Sequence, residues 1–188
     1  MLKGNSLLPK IWLKVNGTKY GKDIKLVGWP FIYRFKNASI SIGNNTIINS
    51  SFFSNLLGLW QKTIIIAKND AKISIGQNVG ISGATIYSWR QIEIGDNCLI
   101  GANVKIIDTD FHPVNSAERL RGENEKANSK PIKIGNNVFI GMNSIILKGS
   151  EIGDNCVVGA GSVVSGKFES DSIIAGNPAK IIRMQNNS

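Results

Sequence analysis

The stretch Asp-Thr-Asp-Phe-His-Pro-Val, residues 108–114, holds the only histidine of the 188-residue chain, with Asp108 and Asp110 close by. An imidazole with its ordinary pKa of about 6.5 suits proton transfer near neutrality. A neighbouring carboxylate can hold its tautomer and stabilise its charged form. His112 is therefore the candidate general base, with Asp110 as orienting partner and Asp108 as the alternative. Pro113 follows directly and restricts His112 to extended backbone. A lone histidine is by default a surface loop residue, so what surrounds it must decide. One imidazole cannot supply a three-histidine zinc site, and no metal is expected.

Most of the remaining chain repeats with period six. From Ile134 it reads IGNNVF, IGMNSI, ILKGSE, IGDNCV, VGAGSV, VSGKFE. The same phase appears in IGDNCL, IGANVK, IIDTDF from Ile94, in IGQNVG and ISGATI from Ile75 and Ile81, and in IGNNTI at Ile42. All twelve hexads begin with Ile or Val, eight have Gly second, and seven have Asn and two Gly fourth. A period of six fits neither a helix nor a plain strand. It fits a short strand and then a corner, where Gly and Asn readily take positive φ. The aliphatic residue and the small residue two before it (Val104, Ser144, Cys156, Ser162) should share the inward face. Three sides close a coil, and stacked coils pair edge to edge. The expected fold is all-β, a parallel β-helix. Cys98 and Cys156 fall at equivalent corners of coils that start at Ile94 and Ile152. With the Ile134 coil between them, their Cα atoms lie about 9.6 Å apart at twice the strand spacing. That is beyond disulfide reach. Both are expected buried and reduced, as suits the cytoplasm.

One domain, 1–188, is expected. Residues 1–39, with Trp12, Trp29, Phe31 and Tyr33, should form an N-terminal cap. Residues 40–169 should hold the coils, with breaks at 51–72 and 112–133, and 170–188 a C-terminal tail. The second break has no aliphatic period, two prolines and eight Arg, Lys and Glu residues, and reads as a solvated excursion loop rooted at His112. In the first break, FFSNLLGLW is read as a cap or subunit contact, and TIIIAKNDAKISIG as two strands around an Asn-Asp turn. AGNPAKIIR, residues 175–183, reads as a turn and a short C-terminal helix starting near Pro178.

The net charge is +9, from 22 Lys and Arg against 13 Asp and Glu. That favours an anionic partner, and a phosphate-bearing small molecule fits as well as nucleic acid, for which no signature motif is present. No apolar run approaches the roughly 18 residues of a membrane span. The start, MLKGNSLLPK, lacks a signal-peptide apolar core, so a cytoplasmic location is expected.

FHPV, IGNNVFIG, IGDNCVVGAGSVV and AGNPAKIIR together resemble the hexapeptide-repeat acyltransferases. The nearest types are sugar O-acetyltransferases of the maltose and galactoside kind and those of surface-polysaccharide biosynthesis. The resemblance implies a left-handed coil, an exception to the usual crossover hand. It implies a homotrimer with sites between subunits, and acetyl-CoA as donor to a sugar or polysaccharide-precursor hydroxyl. His112 is then the general base, and backbone N–H groups near Gly141 and Met142 stabilise the oxyanion. The donor arm passes Phe139 and Ala160, and Lys167, Lys180 and Arg183 meet its phosphates. Ser82 falls nearest the acceptor-side asparagine of the galactoside enzymes. A non-catalytic scaffold β-helix is the competing reading, because it explains the repeats without using His112.

Overall fold

The computed structural model describes residues 7–185; the first six residues of the expected cap and the last three of the expected tail lie outside the described residues. The chain winds as a three-sided left-handed parallel β-helix. Each coil gives one short strand to each of three parallel sheets. The first face begins at Lys19–Tyr20 and has seven strands, the second begins at Lys25–Gly28 and has eight, and the third begins at Phe31–Arg34 and has six.

The hexads dictate this shape. Their aliphatic residues stack in register down the interior: Ile40, Ile73, Ile92 and Ile132 are paired neighbours, and all are buried. Burying each such side chain contributes about 1.5–3 kcal/mol. The small residues two places earlier also point inward, since Val104, Ser144, Cys156 and Ser162 are all buried. The corners divide the work between two residue types. The fourth-place asparagines take positive φ, from 56° at Asn45 to 60° at Asn155. The second-place glycines are needed for close approach instead. A Cβ on Gly141 would stand 2.5 Å from Ala160 N and 2.9 Å from Val158 O, both in the next coil's backbone. The asparagines form a ladder in which Asn45, Asn78, Asn97, Asn137 and Asn155 each donate to the next, and Asn155 to Asp171.

Three boundaries differ from expectation. The coil begins at Lys19, so the cap reduces to helix α1, Leu7–Val15. The first coil hides in Tyr-Gly-Lys-Asp-Ile-Lys, residues 20–25, a hexad with Tyr20 in the aliphatic place and Asp23 at φ 55°. The first break narrows to 51–63. The expected strands do form, Ile64–Ala67 and Lys72–Ile75, but they are adjacent sides of one coil and not a separate pair. The excursion ends at Pro131, because Ile132–Ile134 returns to the first face.

No helix starts at Pro178. Ser172–Gly176 is the last strand of the second face, and Ala179–Met184 turns back to pair with it antiparallel. The physical reason lies at the end of the prism, where a coil leaves an open row of backbone donors and acceptors. Ile181 and Ile182 favour a strand there, and pairing satisfies that edge.

Cys98 and Cys156 are free and buried, with the Ile132–Ile134 coil between theirs. Their thiols face Gly135 O and Glu169 O, each at 3.1 Å. Burial pushes both thiol pKa values up. Ellman's reagent at pH 8 should therefore label neither in the native protein and both in denaturant; fast native labelling would show that the coils open.

Candidate active site

His112 stands where the third face hands over to the first. The strand Lys105–Ile107 ends there, and the chain leaves the prism until Ile132. The excursion has a closed neck: Thr109 bridges Ser129, Asp110 N donates to Asn128 O at 3.0 Å, and Lys130 N to Asp108 O at 3.0 Å. Beyond the neck comes a short helix α2, Ser116–Leu120, whose first turn is capped by the Asn115 side chain. Arg119 ties back to Pro113 O at 2.8 Å and Val114 O at 3.0 Å. Arg121, Glu123 and Lys126 form an exposed clasp. The Arg121 guanidinium, with Lys126, holds the Glu123 carboxyl down from 4.5 to about 2. A depressed carboxyl stabilises the clasp above its ordinary value, and that contribution disappears as pH falls through about 2.

The two aspartates do not play the expected part. Asp110 Oδ1 pairs with Lys148 Nζ at 2.7 Å. Asp108 is wholly buried and accepts four bonds: from Ser88 Oγ at 2.6 Å, Trp89 N at 2.7 Å, and Arg90 N and Gln91 N at 2.9 Å. It knots the corner of one coil to the next. Among the described residues the imidazole is instead held by Asn124, whose Oδ1 lies 2.8 Å from His112 Nδ1. An amide oxygen there requires the proton on Nδ1, which leaves the Nε2 lone pair free as a base. The ring is exposed, with room for an acceptor. Phe111 aims it. It is the only residue other than Asn, Asp or Gly with positive φ among those described, at 62°. That conformation costs about 1–2 kcal/mol. It is offset by edge-on packing of its ring against Tyr87 and Trp89, with centroids 5.1 and 6.3 Å away. Trp89 is half-buried by this contact.

The residues expected to meet donor and acceptor gather elsewhere. A groove of about 570 Å³ runs along the edge between the second and third faces, and Ser82, Phe139, Gly141, Met142 and Ala160 all line it. Its floor is apolar, from Leu99, Phe139 and Val157, and its rim polar, from Asn49, Asn55 and Ser82. Gly80 leaves a gap in the row between Ile47 and Leu99, which deepens it. Residues 51–63 leave the prism at this same edge and hang Leu57 over the groove. Asn103 Nδ2 and Gln61 Nε2 pin that segment, to Gly58 O at 3.1 Å and Gly83 O at 2.9 Å. The Gly141 N–H is already committed to Val158 O at 2.7 Å, so it is not an oxyanion donor. The N–H groups of Met142 and Ala160 donate to no acceptor among the described residues and are the available ones.

The three basic residues separate. Lys180 and Arg183 lie exposed on Ala179–Met184, the strand that ends the groove's own sheet. Lys167 does not join them. It sits on the first face, paired with Glu151 at 2.8 Å in a charged trough with Lys133. That trough matches the groove in volume, but its alternating signs and smaller apolar lining suit solvent.

A coil of hexads, one exposed histidine at the root of an excursion, and an apolar groove along a neighbouring edge point to a hexapeptide-repeat transferase. Family models agree: residues 131–166 match the bacterial transferase hexapeptide (six repeats), and 91–107 the hexapeptide repeat of succinyl-transferase. Over 162 residues the chain is 35% identical to the galactoside O-acetyltransferase of Escherichia coli K12, covering 85% of this chain and 78% of that one. It is also 35% identical over 171 residues to a putative lipopolysaccharide biosynthesis O-acetyl transferase of the same organism, covering 88% and 81%. The solved galactoside acetyltransferase in complex with coenzyme A superposes with a TM-score of 0.53 at 26% identity, covering 100% and 85%. The chain belongs to the hexapeptide-repeat acyltransferases.

Proposed function

We propose that this chain is a cytoplasmic acetyl-CoA-dependent O-acetyltransferase acting on a hydroxyl of a sugar or polysaccharide precursor, as a homotrimer with His112 as general base. The separation of histidine and groove carries the reading. Within one chain they occupy the two edges that flank the third face. The outward side of that face is apolar, with Phe31, Tyr33, Ile66, Tyr87, Ile107 and Leu147 along it. Three prisms packed with this face toward a common axis would bury it and satisfy cyclic symmetry. The same packing turns the histidine edge of each chain toward the groove edge of its neighbour. The relatives' sugar O-acetyl chemistry supports the acceptor class.

The groove's apolar floor fits an extended pantetheine arm, and Lys180 and Arg183 lie at the end suited to its phosphates. His112 Nε2 takes the hydroxyl proton as the acceptor oxygen bonds to the thioester carbonyl carbon. The Met142 N–H, free of a backbone acceptor among the described residues, would receive the developing oxyanion. The C–S bond then breaks, and the imidazolium returns the proton to the departing thiolate. Ser82, buried and bonded by Asn49 at 3.2 Å, is held as an acceptor-side hydroxyl on the rim.

Turnover of acetyl-CoA with a panel of sugar acceptors, read with oligomer mass by light scattering, tests the proposal. Acceptor-dependent release of CoA by a species near three times 20.4 kDa is expected. An active monomer would overturn the shared site. Lys180→Ala and Arg183→Ala should each weaken CoA by about 1.5–3 kcal/mol, and dephospho-CoA by less. Equal losses by calorimetry for both ligands would take these residues off the 3′-phosphate.

A further inference from the structure

The net charge of +9 is not spread over the chain. Residues 1–72 carry 11 Lys and Arg against 2 Asp and Glu, whereas residues 73–188 carry 11 against 11. The whole excess therefore belongs to the first third of the sequence. The coil turns that third into one end of the prism, because the first-coil strands are the terminal strands of all three sheets. Lys19, Lys22, Lys25 and Lys36 ring the terminal coil, and α1 packs beside it.

Helix α1 adds a second, independent feature. Leu13 and Pro9 are buried, and Trp12 Nε1 bonds to Ile32 O at 3.1 Å, so one side grips the prism. The opposite side is apolar. Leu7, Leu8, Ile11 and Val15 are exposed, Leu8 at 63% and Val15 at 74%. At 3.6 residues per turn these four fall within about 100° of arc, with Lys10 and Lys14 along one border. A docked helix with an exposed apolar arc edged by lysines has the composition of an element that lies in a lipid interface. Nucleic acid would use the lysines and leave the leucines wet. An anionic bilayer accepts both, its headgroups the lysines and its acyl boundary the apolar arc.

We propose that the N-terminal end of the prism docks on an anionic membrane surface, with α1 lying at the headgroup boundary and the lysine ring above it. Docking would bring the enzyme to an acceptor carried on a lipid. That second step rests on the O-acetyl transfer proposed above, whereas vesicle binding tests docking alone.

The test is flotation of the full chain with vesicles of phosphatidylcholine alone or with about 30% phosphatidylglycerol, at low and high salt. At least about tenfold more protein should float with the anionic vesicles, and added salt should reduce the difference. The pair Leu8→Glu with Val15→Glu should bring flotation down to the phosphatidylcholine level, and so should Lys10→Glu with Lys14→Glu. Both pairs should keep the wild-type melting temperature and turnover on a soluble acceptor. Equal flotation with the two vesicle types overturns the proposal. So does wild-type flotation by the Leu8/Val15 pair. A change in oligomer mass in that pair would assign the arc to a second copy of the chain. Tight binding to a DNA duplex, insensitive to the Leu8/Val15 pair, would assign the lysines to nucleic acid.

Discussion

Replacing His112 by alanine lowers kcat for acetyl transfer by about 10²–10⁴, the usual worth of a positioned general base. The effect should fall on kcat and leave CoA binding intact, because in the proposed site the ring acts on the acceptor hydroxyl, while the groove floor with Lys180 and Arg183 holds the donor. Stability should hardly change. His112 is exposed, and its side chain has one hydrogen-bond partner among the described residues, so the cost should stay within about 0.5 kcal/mol. Asn124→Ala should lose less activity, since it frees the tautomer but keeps the base. Asp110→Asn should do little to the chemistry, because its carboxylate faces Lys148 and not the imidazole. Turnover, CoA affinity and melting temperature measured together separate these outcomes. Wild-type kcat in a folded His112→Ala protein would remove the histidine from the reaction.

Replacing Asp108 by alanine damages the fold. Its carboxylate is the acceptor for one hydroxyl and three backbone N–H groups at a corner with no exposure. Each donor left unpaired in the interior costs about 1–3 kcal/mol, partly relieved where water enters. Loss of a buried network of this kind costs about 3–5 kcal/mol. For a chain of this length that corresponds to a fall of about 6–20 °C in melting temperature. Asp108→Asn keeps the shape and part of the accepting capacity, and should lie between. Any activity lost follows from misplacement of the excursion, so it should recover at lower temperature, where the corner closes. A melting temperature within 2 °C or so of wild type would contradict the knot.

The contrast between these aspartates shows where sequence reading stops. Both lie within four residues of the histidine, and type and spacing do not distinguish them. Only the coil's register does. Asp108 falls at an inward-turned corner position, and Asp110 falls just outside the prism, within reach of Lys148 in the next coil. The hexads were legible because one residue type repeats at one spacing, so the fold and the inward residues followed together, while the groove residues came from the family resemblance. Asn124 was not legible. It reaches the imidazole across a loop without periodicity, from 12 positions away. The first coil was hidden by a single substitution, Tyr20 in an aliphatic place. The terminal strand read as a helix because Asn-Pro followed by Ala-Lys satisfies local helix-start rules, while the open sheet edge that captures it is a tertiary fact. Gly141 lines the groove, yet its N–H, which the family resemblance assigned to the oxyanion, is already used by the coil ladder.

The shared site between neighbouring chains is the central claim, and subunit exchange tests it most directly. His112→Ala removes the base, and Ala160→Trp fills the groove; each alone should be inactive. Mixed in equal amounts and reassembled, random trimers should have both intact residues meet at about a quarter of all sites, provided base and groove come from different chains. Acetyl transfer should then return to about one quarter of the wild-type rate. Exchange proven by mass spectrometry with no return of activity would place His112 and the groove it serves on the same chain.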